Sequence, residues 1–223
     1  MPVERVAVIG GTGKEGFGLA LRWAAAGIYV IVGSRDGGRA EEAATRLTDL
    51  VPSAAARGVV NSEAAAASGV VVVTVPFAGQ AAIYKSLVES LRPGTVVVDC
   101  TVPVAAAVGG RASRVLGVWE GSAAQQADAI LAGKDVRMGA AFHSLSAAAL
   151  TDLESPLDGD VLTVGGKGAK AAVRELVEAV PGLRFVDAGP LENARLVEPL
   201  TALLIGINRR YGTDRSGLRI TGI

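Results

Sequence analysis

Between Arg5 and Ala26 a strand-like run, a glycine-rich turn and a helix-like run follow one another, and no other stretch limits the fold as much. Arg5 to Ile9 reads as a buried strand. Glu15 to Ala26 places Phe17, Ala20, Leu21 and Ala24 at helical spacing. Between them, Gly11-x-Gly13-x-x-Gly16 matches G-x-G-x-x-G. The chain holds 29 glycines, so the spacing alone is weak, and its position after a strand and before a helix gives it weight. In that context Gly11 permits the tight turn, Gly13 lets the backbone approach a pyrophosphate, and Gly16 lets helix and strand pack closely. The helix start then offers unpaired N–H groups to an anion. A dinucleotide is the expected ligand.

The end of the second strand, Tyr29 to Val32, narrows the choice of dinucleotide. An NAD site usually carries an acid there, which accepts hydrogen bonds from the ribose hydroxyls and repels a 2′-phosphate. This chain reads Gly33-Ser34-Arg35, with Arg39 one turn into the next helix. A hydroxyl and two guanidinium groups suit a phosphate dianion, so NADP is favoured over NAD. Asp36 and Glu42 are close enough in sequence to offer Arg35 and Arg39 ordinary ion pairs instead.

Strand-like and helix-like runs alternate over the first hundred residues. Helices are expected at Gly38 to Leu50 (capped by Asp36), Ser62 to Ala67 and Gly79 to Leu91. Strands are expected at Val59-Val60, Val70 to Val75 and Thr95 to Asp99. The β-branched run at Val70 marks a strand buried on both faces. Such alternation implies an α/β fold, a Rossmann-type doubly wound parallel sheet with right-handed crossovers. A helix from Gly117 to Ala132, with Ser122 as a candidate cap, and a sixth strand from Val136 to Phe142 complete it. Val161 to Val164, Lys167 to Val180, Arg184 to Asp187 and a helical stretch from Leu191 to Asn208, interrupted by Pro199, read as a smaller α/β unit. The expected division is residues 1–145 for the dinucleotide domain and 146–223 for the second unit.

Composition removes several function classes. Lys and Arg number 22 against 22 acids, and aromatics are 4%, so neither a basic surface nor a stacking platform for nucleic acid is present. The longest apolar runs fall far short of a membrane-spanning helix. One cysteine, Cys100, excludes an internal disulfide framework. With the direct entry into a strand by Val6, it predicts a cytoplasmic protein. One histidine, one cysteine and no H-E-x-x-H or C-x-x-C argue against a zinc site, and no Ser-His-Asp order suggests a hydrolase. His143 stands at the end of a predicted strand, where ligand clefts of α/β folds form. Thr74-Val75-Pro76 ends another strand at a position suited to nicotinamide contact. Arg195 and Glu198 are three apart and suggest an intrahelical ion pair. Leu200 to Ile207 is too apolar for an exposed helix face, and an interface is the favoured use.

Gly10-Gly11-Thr12-Gly13, Gly33-Ser34-Arg35, Thr74-Val75-Pro76-Phe77, Phe142-His143-Ser144, and Asp187-Ala188-Gly189-Pro190-Leu191 with Arg195-Leu196-Val197-Glu198 occur in this order. In these segments the chain resembles the NADPH-dependent coenzyme F420 reductases (F420H2:NADP oxidoreductases). The resemblance implies a Rossmann domain with a small C-terminal domain, a deazaflavin in the cleft between them, and homodimers. It also implies hydride transfer between NADPH and carbon five of F420. Thr12, Ser34 and Arg35 would then bind the 2′-phosphate-bearing nucleotide, with Arg39 where the family often has a lysine. Thr74, Val75, Pro76 and Phe77 would line the nicotinamide pocket, and His143 would sit beside the deazaflavin. The Asp99-Cys100-Thr101 stretch departs from the family pattern, although Val102-Pro103-Val104 fits it, and the charged tail from Arg209 to Ile223 is not aligned with it. Two alternatives stay open: an NADP-dependent reductase of a flavin, imine or small carbonyl, and a non-catalytic NADP sensor. Hydride transfer between stacked rings needs little acid–base help, which agrees with the scarcity of candidate catalytic groups.

Overall fold

The computed structural model describes residues 3–223. The strands are β1 (Arg5–Ile9), β2 (Tyr29–Ser34), β3 (Ala56–Val60), β4 (Val70–Val73), β5 (Thr95–Asp99), β6 (Val136–Ala140), β7 (Gly159–Gly165) and β8 (Leu183–Asp187). The helices are α1 (Lys14–Ala25), α2 (Gly37–Leu50), α3 (Asn61–Ala66), α4 (Phe77–Leu87), α5 (Ala123–Ile130), α6 (Ala147–Thr151), α7 (Lys167–Glu178), α8 (Ala194–Val197) and α9 (Pro199–Tyr211). One sheet contains all the strands, in the order β3-β2-β1-β4-β5-β6-β7-β8. The first six are parallel, β7 runs antiparallel to β6, and β8 is parallel to β7. The expected Rossmann-like α/β architecture is observed.

Local chemistry explains the elements. β4 is four consecutive valines, three of them fully buried, as a central strand covered on both faces requires. Asp36 caps α2 by accepting from the backbone N–H of Arg39 at 3.2 Å, and Ser122 caps α5 through the N–H of Gln125 at 3.1 Å. Apolar clusters fill both faces of the sheet, one around Trp23, Leu47 and Leu176 and the other around Tyr84, Leu87 and Leu131.

Residues from 146 onward supply α6 and the β7–α7–β8 unit, which carries the sheet on past β6. This unit is fastened to α1. The Trp23 indole donates to the carbonyl of Leu176 at 3.0 Å, and Arg22 donates to the carbonyls of Leu150 and Ala149 at 2.9 and 2.8 Å.

Several boundaries differ from the sequence reading. β2 runs on through Ser34, because Ser34 pairs with Val60 in the neighbouring strand. The same pairing starts β3 at Ala56. β4 and β6 end earlier than expected, at Val73 and Ala140. Phe142 has a φ of 69°, a left-handed conformation that cannot continue a strand. α4 lies at Phe77–Leu87, and α5 spans only Ala123–Ile130. The stretch from Leu191 forms a short 3₁₀ turn, then α8, then α9 with Pro199 at its start, where a missing N–H costs nothing.

Candidate active site

Strand register lines up one row of residues across the carboxyl edge of the sheet. Gly33 pairs with Ile9, Ile9 with Val73, Val73 with Asp99, and Asp99 with Ala140. The residues that follow this row therefore emerge side by side: Gly10-Gly11, Ser34-Arg35, Thr74-Val75-Pro76, Cys100-Thr101 and Phe142-His143. The strand order reverses between β1 and β4, the place where α/β sheets open a ligand crevice.

The glycine loop has the form an anion site requires. Gly10 adopts a φ of +79°, and the N–H groups of Gly10 and Gly11 both donate to the carbonyl of Gly33 at 3.0 Å, which folds the turn back over β2. A Cβ on Gly16 would collide with the Thr74 hydroxyl and lie 2.7 Å from the Gly10 carbonyl. Only glycine lets α1 start against the end of β4. Gly13 is the exposed N-cap of α1, so the first-turn N–H groups of that helix open toward the crevice.

Beside the end of β2 lies a cavity of about 200 Å³ lined by Thr12, Phe17, Arg39, Glu42, Ala43 and Arg46. It brings together two expected phosphate ligands, Thr12 and Arg39. It adds Arg46, whose guanidinium lies over the Phe17 ring at 4.6 Å from its centroid. Ser34 is buried and accepts from the N–H of Asp36 at 3.3 Å, and Arg35 is exposed at the strand end. Among the described residues neither Arg35 nor Arg39 forms an ion pair, so the acids near them in sequence leave both cations free. These groups fit a phosphorylated ribose.

At the ends of β5 and β6 the carboxyl edge of the sheet carries buried polar groups. His143 is buried, and neither ring nitrogen has a hydrogen-bond partner. Burial pushes its pKa down to about 4, so the ring is neutral. Its carbonyl accepts from the Thr201 hydroxyl at 2.7 Å, which seats the first turn of α9 beside it. Phe142, the one described non-glycine residue with positive φ, packs edge-on to Trp23 at 5.5 Å and fixes the turn that carries His143. Two unpaired nitrogens in a buried ring are costly to keep unless a partner is supplied to them.

Behind these residues lies a cluster that the sequence reading missed. Asp99, fully buried, accepts from the Tyr84 hydroxyl at 2.7 Å, the Gln80 amide at 2.9 Å and the Thr101 N–H at 2.7 Å. Burial raises its pKa, and those hydrogen bonds oppose the rise. Glu198 does not pair with Arg195, as its spacing suggested. Arg195 instead pairs with Glu192, and Glu198 turns inward to accept from the N–H groups of Ala123 and Ala124 at 2.9 and 3.0 Å. Desolvation pushes its pKa up to about 8, with a smaller contribution from Asp99. Burial likewise raises the Cys100 thiol well above its ordinary range, which favours the protonated thiol over the thiolate.

Comparison with known proteins gives a consistent picture. Residues 5–103 match the family described as NADP oxidoreductase, coenzyme F420-dependent. An F420-dependent NADP reductase of Methanothermobacter thermautotrophicus is 41% identical over 99% of this chain and 96% of its own. The reductase of the same description from Methanocaldococcus jannaschii is 37% identical over 98% of this chain and 99% of its own. Among solved structures, one from Arthrobacter sp. FB24 with the working name of an F420-dependent NADP reductase superposes with a TM-score of 0.81. It is 21% identical and covers 98% of this chain and 99% of its own. A 3-hydroxyisobutyrate dehydrogenase of Mycobacterium tuberculosis superposes with a TM-score of 0.64 at 15% identity, over 94% of this chain and 62% of its own, and shares the fold alone.

Proposed function

The chain belongs to the family of F420-dependent NADP reductases, and from that premise we propose how its crevice carries out the reaction. The protein is an oxidoreductase that moves a hydride between NADP(H) and coenzyme F420. In the proposed arrangement Gly11, Gly13, Gly16 and the first turn of α1 hold the pyrophosphate. Thr12, Ser34, Arg35 and Arg39, joined by Arg46, hold the 2′-phosphate. Thr74, Val75 and Pro76 line the nicotinamide. His143 stands beside the deazaflavin and donates or accepts one hydrogen bond through each ring nitrogen, as a neutral imidazole can. When both are bound, the nicotinamide supplies the hydride and carbon five of the deazaflavin receives it, or the reverse. The protein's part is to hold the rings in contact and keep water out.

One observation carries this reading. The acid-free end of β2 opens beside a cavity lined by Thr12 and Arg39, at the mouth of the glycine loop. The segment from residue 146 onward closes the deazaflavin side of the cleft in this proposal, through α9 and the seating of Thr201 on His143. A homodimer is proposed, because α8 and α9 leave Leu196 and Leu203 64% and 58% exposed next to a buried face. The single, buried Cys100 suits a reducing cytoplasm, the proposed location. Among the described residues no helix is long and apolar enough to cross a membrane.

Mixing the protein with NADPH and oxidised F420 tests the reading. The visible band of the deazaflavin is expected to bleach in step with NADPH oxidation. Persistence of the band over a broad pH range overturns it.

A further inference from the structure

The side chain of Glu15 has no role in the arrangement above, yet it stands on the first turn of α1, beside the glycine loop at the switch point. It is the second residue of α1, between Gly13 and Gly16. The residue is half-buried, but its Oε1 is enclosed and has no hydrogen-bond partner. An enclosed, unpaired carboxyl oxygen is a costly group to keep, and a ligand that completes it removes the cost.

Its surroundings say which part of the ligand that is. The ionisable groups nearest in effect are Asp99 and Cys100, at the end of β5. Behind Asp99 stand Tyr84 of α4 and Glu198. On its own helix, Lys14 is exposed. The cations and acid of α2 that face α1, namely Arg39, Arg46 and Glu42, line the separate cavity around Thr12 and Phe17. α6, also packed on α1, carries no ionisable residue. Glu15 therefore belongs to the β4–β5 side of the switch point, opposite the 2′-phosphate side. A dinucleotide whose pyrophosphate sits on the start of α1 and whose phosphorylated ribose sits at β2 must send its nicotinamide to that side.

We propose that Glu15 is a recognition residue for the nicotinamide, its carboxyl pairing with the primary carboxamide of the ring. The proposal rests on the NADP reading given above. Burial, and then the charge of Asp99, push the Glu15 pKa up to about 8, so near pH 7 the group is mainly the neutral acid. A neutral carboxyl offers one O–H donor and one C=O acceptor, which match the C=O and N–H of a primary amide. An ionised carboxyl retains only the acceptor and adds a negative charge, which favours the cationic ring of NADP⁺ over the neutral ring of NADPH.

Equilibrium binding at pH 7 tests this with three probes. They are NADP⁺, its 3-acetylpyridine analogue, which lacks the amide N–H₂, and 2′-phospho-ADP-ribose, which lacks the nicotinamide altogether. Wild type is expected to bind NADP⁺ about tenfold more tightly than the acetylpyridine analogue, the size of a net hydrogen bond in an enclosed site. Glu15→Ala is expected to bring that ratio close to one. Glu15→Gln, which still pairs with an amide, is expected to keep most of it. 2′-Phospho-ADP-ribose is expected to bind all three proteins alike. An unchanged ratio in Glu15→Ala overturns the proposal, and so does equal weakening of NADP⁺ and 2′-phospho-ADP-ribose, which would make Glu15 a support of the loop. Failure of wild type to bind 2′-phospho-ADP-ribose overturns the NADP reading itself, and the proposal with it.

Discussion

Glu198 accepts a hydrogen bond at 2.9 Å from the backbone N–H of Ala123, across 75 residues of chain. With the second bond from Ala124, this carboxyl satisfies the first N–H groups of α5 and ties the start of α9 to the rest of the sheet. Glu198→Ala leaves both donors buried and unpaired. The expected loss is about 2 kcal/mol of stability by urea denaturation. A change below about 0.5 kcal/mol would mean that the junction is held by packing alone.

The same residue makes a pH prediction. Its folded-state pKa is raised from the ordinary 4.5 to about 8. Below pH 4.5 the folded and unfolded chains both hold the proton, and between 4.5 and 8 only the folded chain does. Stability contributed by this group therefore falls as pH rises through that window. Glu15, shifted in the same direction to about 8, adds to the slope. Urea midpoints at several pH values are expected to fall less steeply in Glu198→Gln than in wild type. Identical slopes would contradict the buried, protonated acid.

Arg35 and the phosphate make a selectivity prediction. A guanidinium bonded to a phosphate is worth about 1.5–3 kcal/mol, and nothing in NADH replaces that contact. Arg35→Ala is expected to weaken NADPH by roughly 10- to 100-fold while NADH changes by less than about threefold. Equal losses for the two nucleotides, measured by fluorescence titration, would remove Arg35 from the phosphate site.

Asp160 latches the C-terminal tail. It receives both arms of Arg184 at 2.9 and 2.7 Å and also accepts from Arg219 and the N–H of Ile220. The Arg184 hydrogen bonds hold its pKa down to about 2, against an ordinary 3.8. Its stabilising contribution is complete above pH 3.8 and is lost as pH falls toward 2. Asp160→Asn is expected to loosen the tail, so that trypsin cleaves after Arg219 at neutral pH much faster than in wild type. Equal cleavage rates would show that the latch does not hold the tail.

Much of this arrangement could be read from neighbouring residues. The valines of β4, the Asp36 cap and the spacing of Gly11, Gly13 and Gly16 depend on local geometry, and they appear where their patterns point. So does the missing acid after β2, which leaves Ser34 and Arg35 at the crevice. The remainder depends on partners distant in sequence. Glu198 looked like the i+3 mate of Arg195 because spacing cannot reveal that α5 offers it two free N–H groups. Asp99 gains its meaning from Gln80 and Tyr84, which are spaced for one face of α4 but carry no signal of what that face meets. Arg46 joins Thr12 and Arg39 in lining their cavity only because α2 lies against Phe17. The reversal at β7 is written in no motif, because β6 and β7 pair through only Gly139 with Gly165 and Ala140 with Val164.

The central claim is that one crevice brings the nicotinamide and the deazaflavin into contact, so that the hydride passes directly between them. Isotope transfer measures this. NADPH deuterated at carbon four, prepared as each of its two epimers, is mixed with the protein and oxidised F420 in ordinary water, and the reduced F420 is weighed by mass spectrometry. One epimer is expected to deliver its deuterium to carbon five almost completely, and the other almost none. Reduced F420 without deuterium from either epimer would contradict direct transfer and the account built on it.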